Sequence, residues 1–181
     1  MVILMSELTQ ALKDCGALQF GDFTLASGAK SEYYIDIKKA STNPKVLYMI
    51  SVLMAEKMQD ENIRPDRIAG VVLGSVPLAA ALSLATGIPY VMVRKEKKDH
   101  GTGKLIEGDL NPGDKVLVVE DVVTTAGSSI AAIKTLRENG AVVENALSVI
   151  DRESGGEQNY AEIGVKFYSL VKASEIVKAK Q

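Results

Sequence analysis

A chain of 181 residues, 46% hydrophobic and 24% charged, is long enough to enclose one substantial core, and its net charge of −2 excludes a general attraction to nucleic acid or to acidic membranes. The one cysteine, Cys15, excludes an intrachain disulfide and is read as a small packing residue in a reducing, cytoplasmic setting. The apolar opening MVILM is too short for a signal segment, and no apolar run approaches the length of a bilayer span, so no membrane partner is expected.

Helical spacing predicts a first helix from Ser6, as N-cap, to Asp14, stopped by Gly16. Residues 22–40, DFTLASGAKSEYYIDIKKA, are rich in strand formers around a Ser-Gly break and predict extended structure with a turn. A long helix follows Ser41–Asn43, with Pro44 near its first position. It runs to about Asn62 and buries Leu47, Ile50, Leu53, Met54 and Met58. Beyond it the pattern alternates. RIAGVVL is a strand, VPLAAALSLAT a helix ended by Gly87, and PYVMVRK and KVLVVE are strands. SSIAAIKTLRENG is a helix ended at Gly140, VENALSVI a strand, and VKFYSLV a last short strand before a short C-terminal helix. With no repeat, linker or low-complexity tract, residues 1–181 read as one domain. Near-continuous apolar strands alternating with helices imply an α/β fold, a mostly parallel central sheet with helices on both faces. In such sheets ligands bind beyond the carboxyl ends of the strands.

The strand ends carry the chemistry. KVLVVE runs into Glu120 and Asp121, and then into VVTTAGSS before a helix. Residues 124–129 bring hydroxyls and helix-terminal N–H groups together, which suits a phosphate monoester, and Gly127 permits close approach. Without a lysine this is not a triphosphate loop. The acids would repel a phosphate, so they suit sugar hydroxyls or a Mg²⁺ held by them. The same pattern also fits a helix capped by Thr or Ser with solvated acids nearby. Gly74 and Ser75 end another strand, where backbone amides can meet an anion or the glycine can serve the turn alone. VRKEKKDHGTGK, residues 93–104, gathers Arg94, Lys95, Lys97, Lys98, Lys104 and the only histidine, His100, between glycines. It is either a loop that closes over polyphosphate or a solvated hairpin tip. Asp151 and Arg152 end a fourth strand, with Arg152 able to fork onto a carboxylate or to pair with a neighbouring acid.

VLVVEDVVTTAGSS resembles the phosphoribosyl-pyrophosphate motif of the type I phosphoribosyltransferases. FTLASGAKSEYYID, VRKEKKDHG and VIDRE are similar to the orotate-using branch of that family, in order and spacing over nearly the whole chain. The resemblance implies that fold, with a small N-terminal hood of about residues 1–40 plus the C-terminal segment over the base site. It implies the reaction of phosphoribosyl pyrophosphate with orotate to give orotidine 5′-monophosphate and pyrophosphate in pyrimidine biosynthesis. Mg²⁺ is the implied cofactor, held mainly by substrate with no direct protein ligand, and a homodimer sharing a catalytic loop is the implied assembly. Arg94, Lys95, Lys98 and His100 match the catalytic loop, which also binds phosphoribosyl pyrophosphate. Thr124, Thr125, Ala126, Gly127 and Ser128 match the 5′-phosphate loop, Val122 and Val123 further residues that bind phosphoribosyl pyrophosphate, Glu120 and Asp121 the ribose-facing acids, and Gly74 and Ser75 the pyrophosphate turn. Thr124, Arg152, Lys30, Tyr33 and Tyr34 match the orotate region. Ala26 and Gly74 stand where some members carry lysine. A transferase for another base would not need Arg152 as a cation for a ring carboxylate. A non-catalytic binder of phosphoribosyl pyrophosphate would be expected to show a damaged catalytic loop or an added DNA-binding segment.

Overall fold

The computed structural model describes residues 2–24, 30–94 and 104–178. Ala26, Lys95, Lys97, Lys98 and His100, all singled out above, lie outside the described residues. The first helix, α1 (Val2–Asp14), begins ahead of Ser6, which therefore lies inside it and does not cap it. Leu8 and Leu12, one turn apart, are fully buried. The chain leaves the helix through Gly16, whose φ of +71° places it in the left-handed region. Cys15 is half-buried against the core.

Residues 22–40 are not uniformly extended. β1 (Leu18–Thr24) and β2 (Lys30–Ile35) form an antiparallel hairpin, a two-stranded sheet of its own, and α2 (Ile37–Ser41) follows. Asp36 starts that short helix by accepting the Lys38 N–H at 3.1 Å. α3 (Pro44–Asp60) is capped by Asn43, with proline in its first turn as expected. Its buried stripe uses Val46 where Leu47 was expected; Leu47 is only half-buried.

β3 (Arg67–Val71), α4 (Val76–Thr86), β4 (Tyr90–Val93), β5 (Ile106–Glu107), β6 (Lys115–Val123), α5 (Gly127–Glu138), β7 (Val142–Asp151), α6 (Gly156–Glu162), β8 (Lys166–Lys172) and α7 (Ala173–Lys178) complete the described chain. The main sheet has the order β5-β4-β3-β6-β7-β8. Its pairs are parallel except for the antiparallel edge strand β5. Apolar side chains alternate between two cores. Leu117, Val119, Leu147 and Val149 pack with α1, α3 and α4 on one face. Val116, Val118 and Ala146 pack with Ile133 and Leu136 of α5 and Tyr160 of α6 on the other. From β3 the chain moves outward to β4 and then crosses back to β6 on β3's other side. The strand order therefore reverses between β3 and β6, and an open α/β sheet has its ligand crevice at that point. Among the described residues no helix is long and apolar enough to cross a membrane.

Candidate functional site

The turns after β3, β6 and β7 lie side by side at the carboxyl edge of the sheet, because those strands are neighbours in it. β6 continues to Val123, three residues beyond the expected end at Glu120. Glu120 and Asp121 are therefore still strand residues, and the two-residue alternation sends them to opposite faces. Glu120 is only 8% exposed, although solvated or ribose-facing positions were both consistent with the sequence. Its Oε2 lies 3.3 Å from the Ser75 hydroxyl. Asp121 is half-buried against the turn after β3, and its Oδ1 accepts the Val122 N–H at 2.8 Å.

The β3 turn is built around that carboxylate. A Cβ at Gly74 would overlap the Asp121 side chain, so glycine lets the turn come this close with the carboxylate where it stands. Ser75 is fully buried: its hydroxyl accepts the Val71 N–H and reaches the Val71 carbonyl, each at 2.8 Å. Ser75 thus ties the strand to the first turn of α4 and leaves backbone groups to meet a ligand. Gly70 serves the same close approach, because a Cβ there would stand 2.9 Å from the Ser75 carbonyl oxygen. The Val72–Leu73 peptide is cis.

At the end of β6, Ala126 adopts φ +63° and begins α5 with no side-chain capping bond. The helix is therefore not capped by Thr or Ser, the simpler alternative open at the sequence level. Thr124, Thr125, Gly127 and Ser128 are exposed, whereas Val123, Ala126 and Ser129 are buried. A pocket of about 300 Å³ is lined by Glu120 and residues 122–129. The first N–H groups of a helix have no intrahelical acceptor, and the helix dipole adds positive potential there. Thr124, Thr125 and Ser128 set hydroxyls at the rim of this pocket, and a helix N-terminus of this kind suits an anion. Val122 is half-buried and Val123 is core, so Val123 can contribute only through its backbone.

After β7, the Arg152 N–H donates to the Val123 carbonyl at 2.9 Å, fastening this turn to the end of β6. The Arg152 guanidinium carbon stands 5.3 Å from the centre of the Tyr33 ring, which brings the hairpin over the sheet edge. Lys30 and Tyr34 are engaged within the hairpin: Lys30 Nζ donates to Thr24 Oγ1 at 2.8 Å, and the Tyr34 and Phe23 ring centres are 5.6 Å apart. Asp151 points away into the protein, 3% exposed, and accepts the Glu153 N–H at 2.8 Å. Burial pushes its carboxyl above the ordinary value of 3.8, partly opposed by the Glu153 N–H bond and by Lys172. Arg94 stands at the base of the basic segment, its Nη1 3.4 Å from Glu107 Oε1 and its N–H on the Leu105 carbonyl at 2.8 Å. Among the described residues no group of three or more His, Cys, Asp and Glu forms a metal cage.

Residues 36–168 match the family model described as the phosphoribosyl transferase domain. The chain belongs to the phosphoribosyl transferase family. It is 52% identical over 176 residues to the orotate phosphoribosyltransferase of Pyrococcus horikoshii, with 97% of this chain and 95% of that protein covered. To the orotate phosphoribosyltransferase of Methanocaldococcus jannaschii it is 47% identical over 171 residues, covering 94% and 96%. The crystal structure of orotate phosphoribosyltransferase from Aeropyrum pernix matches with a TM-score of 0.85 at 36% identity, covering 94% of this chain and 96% of that one. A phosphoribosyltransferase fold thus surrounds the reversal point where the pocket lies.

Sequence reasoning missed α6, although it touches the pocket loop directly. A Cβ at Gly156 would stand 2.9 Å from the Thr124 carbonyl oxygen, Asn159 Nδ2 donates to the Thr125 carbonyl at 2.9 Å, and the Tyr160 hydroxyl bonds to Ser129. The available signal was Glu157 in the first turn after the glycine pair and Gly164, in the left-handed region, just past the end.

Proposed function

We infer that this chain transfers the 5-phosphoribosyl group from phosphoribosyl pyrophosphate to orotate, giving orotidine 5′-monophosphate and pyrophosphate. The observation that carries this reading is the start of α5: a helix N-terminus without a side-chain cap, rimmed by Thr124, Thr125 and Ser128, beside an acid-bearing strand end. The 5′-phosphate sits on residues 124–128, where N–H groups and hydroxyls replace its water. Asp121 faces the ribose hydroxyls and accepts from them. Glu120, held by Ser75, lines the floor and adds negative potential under the sugar as it gains oxocarbenium character.

Orotate lies between the β7 turn and the hairpin. Arg152, stacked on Tyr33, presents its remaining donors to the base's carboxylate or polar edge and fixes the ring nitrogen in line with the anomeric carbon. Thr124, Lys30 and Tyr34 complete that region, with the hairpin and the C-terminal segment as the hood. Arg94, Lys95, Lys98 and His100 meet the leaving pyrophosphate and exclude water from the cation-like sugar. This requires Arg94 to leave Glu107 and His100 to donate a hydrogen bond. The working unit is a homodimer in which this segment serves the neighbouring subunit's site. The half-buried Asp121 carboxylate is a hard oxygen donor of the kind Mg²⁺ takes beside substrate phosphates. When bound, mainly through substrate oxygens, the ion neutralises charge building on pyrophosphate.

The test is purified protein with Mg²⁺ and phosphoribosyl pyrophosphate, offered orotate, uracil or adenine, with loss of orotate absorbance and release of pyrophosphate as readouts. Turnover with orotate alone is expected. Turnover with another base and not with orotate would overturn the assignment of substrate, and binding of phosphoribosyl pyrophosphate without turnover of any base would overturn the reaction.

A further inference from the structure

Among the described residues Tyr160 is the largest fully buried side chain, and it carries a polar atom. Its ring packs on Phe167, with centroids 5.0 Å apart, so the apolar body is provided for by the core. Its hydroxyl meets Ser129 Oγ in a short hydrogen bond, and Ser129, itself 1% exposed, donates its one proton to the Ala126 carbonyl at 3.0 Å. That assignment leaves the Tyr160 O–H as the donor to Ser129. Burial pushes the phenol far above its ordinary range, so it keeps this proton at any working pH.

The relay ends on a particular residue. Ala126 is the start of α5, held at φ +63°, a conformation costly for a residue with a Cβ unless its surroundings enforce it. The neighbouring loop residue is held by the same helix: Asn159 donates to the Thr125 carbonyl at 2.9 Å. Gly156 abuts the Thr124 carbonyl so closely that a side chain there would displace it. Helix α6 therefore grips consecutive residues 124, 125 and, through Ser129, 126 from behind, without reaching the pocket itself.

We infer that Tyr160 is a positioning residue for the phosphate loop, acting through Ser129, and that Asn159 supports the same loop at Thr125. The inference rests on the reading that residues 124–128 hold the 5′-phosphate. Tyr160→Phe deletes one oxygen and keeps the ring, so the fold should survive. The expected result is a rise of roughly three- to tenfold in the KM for phosphoribosyl pyrophosphate and in the Kd of ribose 5-phosphate measured by calorimetry. The orotate KM and kcat should stay within about twofold of wild type. Ser129→Ala should give a similar rise. The double variant should be no worse than the worse single, because the hydroxyls work as one chain. Asn159→Ala should add its own effect independently.

An unchanged Kd in Tyr160→Phe, or fully additive losses with Ser129→Ala, would overturn the inference. So would a lower melting temperature with both KM values untouched, the signature of a merely structural role. Ser128→Asp in an otherwise wild-type chain separates the underlying reading. If ribose 5-phosphate binds that variant as well as wild type, the phosphate lies elsewhere and both conclusions fall. If Ser128→Asp abolishes binding while Tyr160→Phe leaves it intact, only the role of Tyr160 falls.

Discussion

Replacing Arg152 with alanine removes a guanidinium 5.3 Å from the Tyr33 ring centre and leaves the backbone bond to Val123 in place. The folded protein loses a partly solvated cation–π contact, worth about 0.5–1 kcal/mol. For a domain of this size that corresponds to a drop of roughly 1–4 °C in Tm. The base loses more, because charge-assisted hydrogen bonds to a carboxylate are worth about 1.5–3 kcal/mol. The orotate KM should therefore rise about 10- to 150-fold. The KM for phosphoribosyl pyrophosphate should move less than about twofold, since the α5 end keeps its own anchors. Arg152→Lys should fall between, keeping the charge without the planar fork. Steady-state kinetics with each substrate varied in turn, alongside thermal melts, measures every quantity. An unchanged orotate KM with the expected small Tm drop would refute the assignment. An equal rise in both KM values would show that Arg152 supports the sheet edge and does not hold the base.

Gly74→Ala places a Cβ where the Asp121 carboxylate lies, so the turn or the acid must move; kcat should fall about 10- to 100-fold with the circular dichroism spectrum intact. Full activity in that variant would mean that the contact is incidental. Lys98→Ala should lower kcat about 100- to 1000-fold while orotate affinity, followed by calorimetry, holds; unchanged turnover would remove Lys98 from the chemical step. Asp151 has a pKa above 3.8 in the folded state, so the native protein holds that proton more tightly than the unfolded chain. Its contribution to stability therefore declines as pH rises from the unfolded value through the raised one. Asp151→Asn keeps an oxygen for the Glu153 N–H, and its Tm relative to wild type should climb as pH rises from the unfolded carboxyl value through the raised one. A flat difference across that range would contradict the sign.

The alternating pattern from Arg67 onward made the layered sheet legible, because buried parallel strands carry continuous apolar runs that few other structures need. The hydroxyl-rich turn after β6 was legible for a similar reason: Thr124, Thr125 and Ser128 have little purpose on an apolar strand's exit unless polar atoms are wanted there. The burial of Glu120 was not legible in the sequence. A carboxylate ordinarily ends a strand exposed, whereas Glu120 is buried with the Ser75 hydroxyl, 45 residues away in sequence, among its partners. α2 and α6 were lost because each is too short for a helical period to emerge; α6 also follows two glycines that read as a turn. The helix start at Val2 escaped because Ser6, a residue type that favours the N-cap, marks a later start in the sequence. The strand order, which creates the crevice, depends on pairings that no local pattern encodes.

The adjacency of β3, β6 and β7 has a metric consequence. Neighbouring strands are separated by about 4.8 Å, so the exits of these three span roughly 10 Å, the scale of a phosphorylated pentose with its substituents. The distance between the recognition turns is thus inherited from peptide hydrogen bonding and not from the turns themselves. A turn can be rewritten for a different base or anion while the gauge between them stays constant. Grafting the β7 turn of one such enzyme onto another is accordingly a change of vocabulary on an unaltered ruler, whereas inserting a strand between β6 and β7 would move their exits about 4.8 Å further apart.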